Sequence, residues 1–187
     1  MKKAKRWVLL AAAAFLAAAC DPLTTTAQGK EVQGAYVLTT ESGFGPWTEK
    51  YTVSETGVRY ESGVNENEMS VVYAGTIVKT VFNRFNSGET RPAQNIGEET
   101  VFKNFGYMIL KYTECDNEGT GQPGQFNIFR FAEKEDGTWI FTQGFKNGSG
   151  KEGVYINSLC GTAAKAEREI TEKNGYFDFA STGFLKK

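Results

Sequence analysis

From residue 32 onward the chain alternates apolar and polar residues with a period of two, the spacing of strands buried on one face. Residues 32–40 begin it. In 47–54 the odd positions Trp47, Tyr51 and Val53 are apolar while Thr48, Lys50, Thr52 and Ser54 are polar. Residues 57–63 continue with Val58 and Tyr60 set against Arg59 and Glu61. Glu55-Thr56-Gly57 predicts a short hairpin turn between the two, with glycine supplying a positive φ. Three later segments, 69–83, 105–113 and 125–132, are apolar on both faces. They predict strands covered on both sides, and so something packed outside that part of the sheet. Glu135-Asp136-Gly137 is a hairpin signal leading into 138–146, where Trp139, Phe141 and Phe145 share one face. Residues 146–151 form the next turn and 152–158 an eighth strand. Eight strands at such spacing predict a barrel or sandwich.

The pattern then changes. Thr162 is placed to cap a helix whose inner stripe is Ala163, Ala166 and Ile170, with Asn174-Gly175 as its stop and Glu169 four residues before Lys173. Such a short, weakly apolar helix needs a surface to lie on. Residues 175–184 return to strand, with Phe177 and Phe179 on one face.

The first twenty residues follow other rules. Lys2, Lys3, Lys5 and Arg6 precede an apolar run from Trp7 to Leu16, then Ala17, Ala18 and Ala19 lead into Cys20. This is the layout of a secretory signal, short for a permanent membrane span. Small residues followed at once by a cysteine resemble the bacterial lipobox, although Ala17 stands where leucine is usual and Leu16 lies one residue further back. The resemblance implies cleavage before Cys20, lipid on its sulfur, and a mature protein held on a membrane of the bacterial cell envelope. Asp21 is similar to the signal that retains enterobacterial lipoproteins in the inner membrane, which other bacterial groups do not read. Inner membrane, outer membrane and surface therefore stay open. Residues 21–31 are polar and aperiodic, a flexible tether. The expected organisation is a signal peptide over 1–19, lipidated cysteine and tether over 20–31, and one β-domain over 32–187.

Removing residues 1–19 takes away four of the 21 basic residues and none of the 22 acidic ones, so the formal charge moves from −1 to −5. An acidic chain argues against nucleic acid as a partner, since phosphate binding needs clustered Lys and Arg. The chain has no histidine. That excludes a Ser-His-Asp triad, a Cys-His pair, a His-Glu-x-x-His zinc site and any other His-based metal centre. With Cys20 lipidated, two cysteines are too few for a four-thiolate zinc site. Gly119-Thr120-Gly121 and Gly148-Ser149-Gly150 join no strand to a helix and are turns rather than phosphate cradles. No cofactor or metal is implied, and the expectation is a protein that is not an enzyme. Cys115 and Cys160 would meet an oxidising compartment after export, which suggests a disulfide. The strand order sets them at opposite ends of the domain, which argues for free, inert thiols. Both outcomes stay open.

Eight antiparallel strands, one helix and a final short strand is the order of the lipocalins and their calycin relatives. Gly34-Ala35-Tyr36 resembles the lipocalin Gly-x-Trp start, with tyrosine replacing tryptophan. The chain departs in two places. It has no clear arginine at the end of the eighth strand, and its long loop, 84–103, follows the fourth strand rather than the first. The resemblance implies an all-β, eight-stranded antiparallel up-and-down barrel with one C-terminal helix against its outside, and hints at ligand binding.

A barrel of this size is just wide enough to be filled by side chains or to hold one small ligand. The aromatics suit either a plugged interior or a pocket wall. If there is a pocket, its candidate residues are Tyr36, Trp47, Glu49, Tyr51, Tyr107, Trp139 and Phe141. Glu49, on the face of Trp47 and Tyr51, is suited to orient a ligand amine or hydroxyl, or else is hydrated at a rim. Arg130, between Phe129 and Phe131, is suited to an anionic head group or to an outer-face salt bridge. Loop 84–103 is a lid, a contact site or a plain connector. Two functions follow: binding of a small apolar or amphipathic ligand in the barrel, or contact with a protein partner through the rim loops of a solid barrel.

Overall fold

The computed structural model describes residues 27–43, 45–84, 102–116, 121–147, 155–157, 159–170, 175–177 and 184–187. The expected signal peptide, Cys20, Asp21, most of loop 84–103, the glycine turn at 148–150, Lys173, Asn174 and Phe179 lie outside the described residues.

The strands are β1 (Gly34–Ser42), β2 (Gly45–Val53), β3 (Gly57–Gly63), β4 (Met69–Phe82), β5 (Phe102–Cys115), β6 (Phe126–Lys134) and β7 (Trp139–Asn147), each antiparallel to the next. The ring is closed by the short final strand β10 (Phe184–Lys186), which pairs with β1 through Tyr36 and Val37 and with β7 through Ile140 and Phe141. The result is a closed eight-stranded antiparallel barrel. Its eighth stave is the C-terminal strand. The segment expected in that place, β8 (Tyr155–Asn157), pairs among the described residues with the end of β7, and β9 (Gly175–Phe177) pairs there too. β10 closes the ring because Phe184 is in register with Phe141 and packs its ring 4.5 Å from that of Tyr51, inside the barrel.

Alternation sorts the side chains as the pleat requires. The inner cluster holds Tyr36, Tyr51, Val53, Val58, Tyr73, Ile77, Met108, Leu110, Tyr112, Phe129, Phe131, Trp139 and Phe141. The second faces of β5 and β6 form a separate cluster of Tyr107, Ile109, Ile128 and Ala132, joined by Ile140 of β7. This is the outer covering that the double-sided strands predict. It is supplied by α2 (Ala163–Glu169), which lies on β5 and β6 and buries Ala166 and Ile170 completely. Thr162 caps it, its hydroxyl accepting from Lys165 N–H at 3.1 Å. A half-buried cluster pins it to the barrel. Lys79 Nζ lies 2.6 and 2.8 Å from the two Glu167 carboxylate oxygens, and the Tyr107 hydroxyl donates to the same carboxylate.

Two local expectations change. The end of the expected tether is a helical turn, α1 (Ala27–Val32), because Val32 is fully buried against the barrel and its carbonyl accepts from the Tyr36 hydroxyl at 2.6 Å. Gly57 does not have a positive φ. Glycine is required there by space, since a Cβ would sit 2.7 Å from the Gly75 carbonyl oxygen. Gly137, at φ 85°, does use the left-handed region that its hairpin demands.

Candidate functional site

The barrel has two chemically different ends. At the floor, α1 brings Val32 against Tyr36, and the apolar side chains of Val53, Val58, Phe131 and Trp139 lie close to the β2–β3 and β6–β7 turns. Lys186, which shares the face of Tyr36 by register, donates to the Glu31 backbone carbonyl there. The opposite end, bounded by the β1–β2 hairpin and loop 64–68, is the mouth.

A row of tyrosines climbs from floor to mouth. Tyr36, Tyr51, Tyr60 and Tyr73 are in register across β1, β2, β3 and β4. Because barrel strands tilt, a row perpendicular to them rises along the barrel axis. Tyr60 lies over Tyr51 with ring centroids 4.7 Å apart and over Tyr73 at 5.0 Å, and Tyr73 stacks on Tyr112 at 4.8 Å. Phe129 and Phe141 fit beneath Tyr51 at 6.0 and 5.2 Å. The middle of the barrel is thus occupied by rings in contact, at spacings normal for aromatic cores.

The phenols need partners, since a buried hydroxyl without one costs about 1–3 kcal/mol. Gln143 on β7 serves two of them. The hydroxyls of Tyr51 and Tyr73 point at its Oε1 from 3.3 and 2.5 Å and lie 3.0 Å from each other. Asn127 on β6 donates to the Tyr112 hydroxyl at 3.4 Å. Tyr60, the half-buried member of the row, donates to the Glu49 carboxylate. Burial drives the ionisation of Tyr51, Tyr60, Tyr73 and Tyr112 well above the ordinary phenol range, and for Tyr60 the neighbouring Tyr51 and Glu49 add to it. These phenols stay protonated, as a donor network requires. Tyr36 and Tyr107 are raised likewise, chiefly by burial.

The candidate residues therefore separate. Trp47, Glu49 and Tyr51 share the inner face of β2 with increasing depth. Trp47 is 42 % exposed at the rim, Glu49 half-buried and Tyr51 buried. Tyr36, Trp139 and Phe141 are also inside, toward the floor. Tyr107 is not. It lies on the outer face of β5 under α2, bonded to Glu167. The period-two pattern fails there because β5 is apolar on both faces, so inward Met108, Leu110 and Tyr112 cannot be told from outward Phe105, Tyr107 and Ile109. Arg130 is on the outer face too, in register with Tyr107 and Thr142 and fully buried. Cys115 and Cys160 are free thiols. Both stand at the mouth end, since Cys115 closes β5 and Cys160 bridges Phe126 at the start of β6. The sheet rather than the barrel's length separates them, because Cys115 packs on the inner cluster and Cys160 belongs to the outer one.

The site also contains residues the sequence reading did not select: Tyr60, Tyr73, Tyr112, Asn127, Gln143 and Phe184. Tyr60 carried a usable signal, for it is as far after the β2–β3 turn as Tyr51 is before it, which sets the two in register. Gln143 carried none, being 92 residues from Tyr51. Among the described residues, no group of carboxylates and thiols is placed to hold a metal ion. No family model, curated protein or solved structure matches this chain.

Proposed function

We propose that this is a lipid-anchored protein of the bacterial envelope that binds a small amphipathic molecule at the mouth of its barrel, above a packed aromatic interior. The observation that carries this is the change of chemistry along the inner wall: ring on ring from floor to middle, then a half-buried carboxylate, a phenol hydroxyl and a partly exposed indole at the rim. A few convergent polar groups among aromatic side chains are the usual makings of a small-molecule site. The filled interior limits such a ligand to the mouth, so its apolar part lies against Trp47, Tyr60 and Phe184 and its polar part meets Glu49.

Anchoring fits the same picture. The chain enters the barrel at the floor through α1, so a lipid on Cys20 would hold the floor toward the membrane and turn the mouth toward the aqueous phase. The role is binding rather than catalysis, with no cofactor, and neither nucleic acid nor metal is called for.

Native mass spectrometry of the chain, carried into the instrument in lipid nanodiscs from a bacterial host, tests the proposal. A reproducible adduct of metabolite size, lost on denaturation, is the expected result, and a bare protein mass would count against it. One observation favours a second reading, in which the rim contacts a protein partner. Trp47 and Val64, 42 % and 48 % exposed, are both at the mouth, and the Thr48–Gly63 pair brings their backbones side by side.

A further inference from the structure

Glu49 is a carboxylate on the inner wall of an aromatic barrel, and among the described residues it has no counter-charge. The Tyr60 hydroxyl is its hydrogen-bond partner, and no lysine or arginine of the described residues pairs with it. Two cations of the described residues, one next in sequence and one on the inner face, are engaged elsewhere. Lys50, the next residue, points to the outer face and pairs with Glu61 at 3.1 Å. Lys186 is at the floor, donating to the Glu31 carbonyl. A half-buried carboxylate has lost part of its hydration, and one phenol hydroxyl replaces only a fraction of it.

The rings around it have the complementary property. Trp47 lies two residues along the same strand face and presents an exposed indole, the best of the aromatic faces for a cation. Tyr60, whose hydroxyl touches the carboxylate, has its ring 4.7 Å from that of Tyr51 and 6.3 Å from that of Phe184. A carboxylate beside several π-faces, at the edge of water, favours a positively charged group with some apolar bulk over a neutral or anionic one. The negative charge of the chain from residue 20 onward would steer the same class toward it.

We infer that the mouth is selective for small organic cations, specifically amines carrying a short apolar chain, with Glu49 taking the ammonium and Trp47 and Tyr60 flanking it. The inference rests on the mouth-binding function proposed above and narrows its ligand class. An ammonium donates to the Glu49 oxygen that Tyr60 leaves open, while its alkyl chain covers Trp47. An alcohol of the same length keeps the apolar contact and loses the charge-assisted bond. A carboxylate of the same length meets Glu49 with like charge.

Hexylamine, hexan-1-ol and hexanoate form the test series, titrated calorimetrically into the chain in phosphatidylcholine nanodiscs with empty nanodiscs subtracted. Hexylamine should bind about tenfold or more tightly than hexan-1-ol, and hexanoate least well. Glu49→Gln should erase the amine's advantage while leaving the weak binding of the alcohol. Tyr60→Phe, which keeps both ring and carboxylate, should retain the preference for amine, so the inference stays testable if the first variant folds poorly. Equal affinity for amine and alcohol, unchanged in Glu49→Gln, would overturn the cation selectivity and leave mouth binding standing. Failure of all three to bind would overturn both.

Discussion

The packed interior makes a quantitative demand on Phe129. Its side chain is fully buried, and its ring lies 5.5 Å from that of Phe141, 6.0 Å from Tyr51 and 6.3 Å from Tyr73. Truncating a buried phenylalanine to alanine costs about 3–5 kcal/mol from lost transfer energy and the cavity left behind. Three aromatic neighbours, each pair adding about 0.5–1.5 kcal/mol beyond its area, place Phe129→Ala at the upper end, about 4–5 kcal/mol. For a chain of this size each kcal/mol lowers the melting temperature by about 2–4 °C, so the expected drop is roughly 10–20 °C. Urea unfolding followed by intrinsic fluorescence should show the midpoint falling with an unchanged slope. Phe129→Leu, which refills most of the volume, should lose less than about 1.5 kcal/mol. A loss below about 1.5 kcal/mol for the alanine variant would contradict a filled barrel. It would mean that the rings do not fill the barrel and that the interior has room of its own.

Three further outcomes follow from single contacts. Gly106→Ala should destabilise by about 3 kcal/mol in the same assay, because its Cβ would lie 2.1 Å from the Val81 carbonyl oxygen and 2.7 Å from the Phe131 ring, and a wild-type melt would contradict that packing. The pairing with Lys79 and the Tyr107 hydroxyl outweighs burial and holds Glu167 below its ordinary value of 4.5, so the clamp on α2 is fully present above that pH and lost as pH falls through the lower folded value. Protection of the α2 amides, corrected for the intrinsic pH dependence of exchange, should fall in acid, and Glu167→Gln should make that protection low and independent of pH. Intact-mass analysis with and without reductant should show both thiols of the folded chain unpaired. Cys115 should alkylate slowly at neutral pH, because burial and then Asp116 and Glu114 raise its thiol, and Cys160 only on unfolding.

The contrast between β2 and β5 explains what could be read from the chain. In β2 one face is polar, so alternation alone sends Trp47, Glu49 and Tyr51 inward. In β5 both faces are apolar, and Tyr107 could be assigned to the wrong side without any local conflict. The outer helix was legible because Ala163, Ala166 and Ile170 keep a helical spacing behind a Thr162 cap. Closure of the ring by Phe184–Lys186 was not, since three residues are too few to carry a period and the choice of stave depends on how Phe184 meets Phe141 and Tyr51. The tyrosine row lay halfway between. Tyr51 and Tyr60 are related by a turn that the sequence marks, whereas their bonds to Gln143 and Glu49 arise only when the sheet curls into a barrel.

The most direct test of mouth binding is a titration of the isotope-labelled chain with hexylamine, following the indole N–H resonances of Trp47 and Trp139. One indole stands at the rim and the other at the floor, so the pair reports the depth of any ligand. Mouth binding predicts a saturable shift of Trp47 with Trp139 unmoved. Movement of Trp139, or of neither, would contradict it.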